Sequence, residues 1–105
     1  MLKRLKGSRL YYNFYTMPLT QSQRNQIANY KVRIESVRKD LQRLKDDKKR
    51  KSEYYGTMIK NTKDPNSKRS YRQSKINAIN SIVNQMESKK KEIERLKDNI
   101  KSVKG

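Results

Sequence analysis

Apolar residues recur along most of this chain at alternating steps of three and four. The first run is Ile27, Tyr30, Ile34, Val37, Leu41 and Leu44, an a/d heptad stripe on one side of an α-helix. Carried on in the same register, the stripe meets Lys48 and Lys51 and recovers at Tyr55 and Met58. A second stripe reads Ile79, Ile82, Met86, Lys89, Ile93, Leu96, Ile100 and Val103, with Ile76 and Val83 widening its early part. Between the stripes, Asp64 followed by Pro65 reads as an N-cap and a proline at the first helical position, where a missing N–H costs no hydrogen bond. Thr20, with Gln23 three residues on, gives the capping-box pattern for the first helix.

These signals predict helices over about 20–60 and 65–104, with a turn at about 61–64. A connection this short makes the helices antiparallel neighbours. Folding the chain about residues 62–63 sets Leu44 opposite Ile82, Leu41 near Val83 and Met86, Tyr30 near Ile93 and Leu96, and Tyr55 near Tyr71. The expected fold is all-α: an antiparallel coiled-coil hairpin over 19–105, behind an extended or flexible basic-aromatic N-terminal arm at 1–18. Glu35–Lys39, Asp46–Arg50 and Asp47–Lys51 have the favourable acid-first i,i+4 spacing. Lysines at seam positions 48, 51 and 89 weaken the seam but help set its register. Their stems can lie along it while the ammonium reaches water.

Composition changes how stable this hairpin should be. Leu, Ile, Val and Phe make up about 19% of the 105 residues and the net charge is +18, a pairing that leans toward disorder. Two rods sharing a seam escape that objection better than a globule does, but the isolated hairpin is expected to be marginal. A second copy, a protein partner or a polyanion would each stabilise it.

Charge also narrows the partners. Lys and Arg number 28 against 10 Asp and Glu, an excess that favours polyanions. Between Lys60 and Gln85 the sole acid is Asp64, against Lys60, Lys63, Lys68, Arg69, Arg72 and Lys75, and Lys48, Lys49, Arg50 and Lys51 lie just before. Glu35, Glu87, Glu92, Glu94 and Asp98 gather toward the open end. Basic groups neutralise phosphates and tyrosines stack on unpaired bases, so these ten cations with Tyr71 form the candidate nucleic-acid site. Tyr54 and Tyr55 accompany it. The plainer reading is a solvated basic face with the tyrosines, Tyr55 above all, packed into the seam.

The first residues carry Lys3, Arg4, Lys6 and Arg9, then Tyr11, Tyr12, Phe14 and Tyr15, half of the chain's aromatics. The favoured reading is an arm that contacts phosphates and bases or docks on a neighbouring subunit. A basic, acid-free leader for mitochondrial import and a start at Met17 are the other two.

Absent residue types exclude whole classes of chemistry. Without cysteine there is no disulfide framework or thiolate metal site, and without histidine the commonest general base is missing. No glycine-rich phosphate loop or metal-ligand set is present, so no enzyme, cofactor or small-molecule substrate is expected. No apolar run is long enough to span a membrane or to serve as a secretion signal, which places the protein inside a cell or a virion. The basic runs at 48–51 and 89–91 match a nuclear localisation signal in composition alone.

A helical hairpin of this length resembles in outline the small proteins of type VII secretion. Their Trp-x-Gly turn is missing, the chain has no tryptophan, and its turn reads Thr62-Lys63-Asp64-Pro65. The strong positive charge also departs from that pattern, and no family is assigned. The leading expectation is a non-enzymatic structural protein that binds DNA or RNA backbones without sequence specificity, in a virion, nucleoid or ribonucleoprotein. The alternative is a coiled-coil adaptor or assembly subunit that binds protein, or a second copy, through its seam and aromatic arm. An anionic-membrane binder is the weakest option, because a narrow seam lacks the broad apolar face an interfacial helix needs.

Overall fold

A computed structural model describes residues 18–105, and the expectations for the arm (Lys3 to Tyr15) lie outside the described residues. Helix α1 runs Gln21–Asn61 and α2 runs Pro65–Lys104, packed side by side as an antiparallel hairpin. Each is about 60 Å long at ~1.5 Å per residue. Neither is long and apolar enough to cross a membrane.

The ends form where the capping residues stand. Thr20 Oγ1 accepts from the Gln23 N–H at 3.1 Å, and Gln23 Oε1 accepts from the Thr20 N–H at 2.8 Å, closing the expected capping box. Gln23 also ties the open end across the hairpin, its Nε2 donating to the Val103 carbonyl at 3.4 Å. At the turn, the Thr62 hydroxyl and N–H both donate to the Met58 carbonyl, which ends α1. Asp64 then caps α2, accepting from Ser67 N–H and Oγ at 3.0 and 2.9 Å, with Pro65 in the first turn. At the far end Gly105 takes φ +96°, a left-handed value that spares a Cβ clash, and its N–H closes on Lys101 and Ser102.

The main core cluster lies in the open half of the rod. Ile34, Val37, Ile93 and Leu96 form its centre, with Tyr30, Leu41 and Ile100 packed against them, as folding about residues 62–63 requires. Ile27 and Ile82 are the other buried apolar residues among those described. Leu44, expected at the seam's centre, is half-buried, while Leu96 is 2% exposed. From Leu44 to the turn and back to Ile79, no side chain is fully buried. The half-buried positions there include Ser52, Tyr55, Gly56, Met58 and Ile59 on α1, and Ser67, Lys68, Tyr71, Ser74, Lys75 and Ala78 on α2. Most of these are too small or too polar to close a seam.

Several local expectations are corrected. Ile76 is 52% exposed and rolls off the seam instead of widening it. The acid-first i,i+4 pairs do not close within 4 Å. The contacts formed are Asp40–Arg43 at 2.9 Å and Asp47–Arg50 at 3.3 Å, because the branched guanidinium reaches back across three residues. Lys89 turns to the neighbouring helix and meets Asp40 at 3.6 Å, the one ion pair between α1 and α2 among the described residues. Lys48 and Lys51, both exposed, keep their ends in water from seam positions. Tyr55 pairs its ring with its neighbour Tyr54, at 5.1 Å and 77°.

Candidate nucleic-acid interface

Around the turn, the sequence places cations on both helices and the hairpin brings them together. Lys48, Lys49, Arg50, Lys51, Lys60 and Lys63 come from α1 and the loop, and all are exposed. From α2 come the exposed Arg69 and Arg72 and the half-buried Lys68 and Lys75. Lys68, Tyr71 and Lys75 recur at steps of three and four on one stripe of α2 and are all half-buried, so lysines and a tyrosine stand at the kind of position that apolar residues hold at the other end.

Almost none of this charge is locally compensated. Only Arg50 has a carboxylate within 4 Å, that of Asp47. Asp64, the sole acid between Lys60 and Gln85, spends its oxygens on the α2 cap. The Ser67 hydroxyl, then the Ser67 N–H and more weakly the Asn66 N–H, hold its carboxyl below its ordinary pKa. The antiparallel helices bring one dipole's negative end beside the other's positive end, so the field at the turn comes from side chains. Toward the open end acids and bases alternate instead. Glu87, Lys90, Lys91, Glu94, Arg95 and Asp98 line one shallow depression, where Glu87 meets Lys90 at 4.0 Å.

The tyrosines divide differently from expectation. Tyr71, the expected stacking residue, is half-buried. Tyr54 is 59% exposed, and its ring is braced edge-on by Tyr55. Open clefts lie on both sides of it, one lined by Asp47, Arg50, Lys51 and Tyr55, the other by Arg50, Glu53, Thr57 and Met58. The sequence reading notes Tyr54 only as accompanying the cluster. The signal was present: the heptad register puts Tyr55 on the seam and its neighbour outside.

No family model, curated protein or solved structure matches this chain.

Proposed function

We propose that the chain is a non-enzymatic structural protein that holds nucleic acid against the turn half of its hairpin by contacting phosphates, without reading base sequence. The observation that carries this reading is the cluster of exposed, uncompensated cations on both helices around Asp64, whose own charge is engaged in the cap. Helices hold the backbones of those cations in place before binding, so it is mainly side-chain freedom that is lost when phosphates arrive. Among the described residues no constellation of side chains shaped to read base edges accompanies them, and phosphate contacts alone position a duplex without specifying its sequence. Tyr54, exposed beside Arg50 and Lys51, adds a flat surface for an unpaired base. A virion, nucleoid or ribonucleoprotein would use such a protein to neutralise and organise its nucleic acid.

Salt dependence and charge reversal test it. Affinity for duplex DNA should fall linearly in log–log salt, by about 0.9 per phosphate contacted. Arg69→Glu with Arg72→Glu should lower that slope by about 1.8. Lys97→Glu with Lys101→Glu, exposed but set among Glu94 and Asp98, should change it far less. Scrambling the DNA sequence should leave affinity unaltered. Salt-insensitive binding, or equal losses from both reversals, would transfer the assignment to a protein-assembly role.

A further inference from the structure

On the other flank of the seam from Tyr54 lies an apolar surface that shares Arg72 and Lys75 with the proposed phosphate-binding cluster, while its isoleucines take no part in phosphate contact. Ile59 of α1 and Ile76 and Ile79 of α2 line an open groove of about 470 Å³, bordered by Arg72, Lys75 and Asn80. Ile59 and Tyr54 are five positions apart, about 140° around α1, so the groove and the exposed tyrosine face different ways. Ile76 is 52% exposed, one of three large hydrophobics left open among the described residues. Gly56, one turn before Ile59, leaves the approach clear, since a Cβ there would meet nothing within 4 Å.

The geometry points to a docking site for an acidic amphipathic helix of a partner protein, laid along the groove as a third helix of the bundle. Three isoleucines in a two-helix trough want an apolar stripe, which a third helix supplies at i, i+3, i+4 and i+7. Between Leu44 and Ile79, the stretch that holds the trough, no side chain is fully buried, so its packing is the part a third helix would complete. Charge selects the occupant: Arg72 and Lys75 border the trough with no carboxylate within 4 Å of either. Helix flanks rich in Glu or Asp complement that border. A second copy of the chain, itself at +18, brings mostly bases and is disfavoured.

Three synthetic peptides test the inference against the full chain. One carries Leu at a and d positions with Glu on the flanks, one has the same leucines with Lys, and one keeps the Glu but replaces each Leu by Ser. The Leu/Glu peptide should bind saturably at one per hairpin by fluorescence anisotropy and gain helicity by circular dichroism. The other two should not. Ile76→Gln should weaken it about 4- to 12-fold, the share of one isoleucine's burial still available at half exposure. Ile76→Leu should restore binding, and Tyr54→Ala, on the other flank, should leave it unchanged. Equal binding of the Glu/Ser peptide would mean charge alone acts, and an unaffected Ile76→Gln would place the contact elsewhere. Self-association by sedimentation that Ile76→Gln abolishes would make the groove a contact between copies. Each of these three results overturns the proposal.

Discussion

Gly56→Ala probes the loosely packed turn half directly, because the outcome depends on how closely α2 approaches. Gly56 lies well inside α1, five residues before its end, and is half-buried. A glycine at a helix-interior site costs about 0.8–1.0 kcal/mol relative to alanine, through backbone entropy lost on folding. Where helices touch through a glycine, that cost is the condition of close approach, and an added methyl makes matters worse. Here an added Cβ finds no heavy atom within 4 Å, so the methyl meets no clash and little packing gain. The propensity term should then stand nearly alone, stabilising the hairpin by about 1 kcal/mol. For a domain of this size that raises the melting temperature by about 4–8 °C. Thermal melts followed by far-ultraviolet circular dichroism, at matched protein concentration and salt, measure it. A lowered melting temperature would show that the helices close on Gly56 in solution, and the open description of the turn half would be wrong.

Other perturbations separate the two halves of the rod. Leu96→Ala removes the most buried side chain and should cost about 2–5 kcal/mol, enough to unfold a thin hairpin, while Leu44→Ala, half-buried, should cost clearly less; denaturant titration ranks them. Removing the Thr20 hydroxyl by Thr20→Ala should cost about 1 kcal/mol and fray the open end, visible as faster amide exchange over the first turn of α1. The Asp64 carboxyl titrates lower in the folded chain than its ordinary value of 3.8, so its stabilisation is complete above that pH and is lost as pH falls through the depressed value. Asp64→Asn keeps a capping oxygen without the charge. Its deficit against wild type at neutral pH should therefore shrink below about pH 4 in parallel melts.

The fold was legible because its signals are local. Thr20 with Gln23 and Asp64 with Pro65 dictate where helices begin, since each satisfies N–H groups within its own first turn. The three-and-four spacing dictates which side of each helix is apolar. With so short a turn, arithmetic about residues 62–63 then pairs Ile34 and Val37 with Ile93 and Leu96. The uneven charge was likewise readable, because a count of acids along the chain needs no coordinates. What the tertiary structure decided is how each position on that framework is used. Tyr71 and Tyr54 are the same residue type in similarly basic surroundings, yet one is half-buried and the other is exposed. The angle of each around its helix and the bulk of what faces it make that difference. Ile76 and Ile79 both fit an apolar pattern, but the line of contact between two straight rods has a limited width, so Ile76 falls outside it and helps open a groove. Lys89 finds Asp40 only because the register across the hairpin places them at one level. Local chemistry sets where helices start and which stripe is apolar, whereas exposure and cross-helix pairing arise from the mutual rotation and separation of two helices.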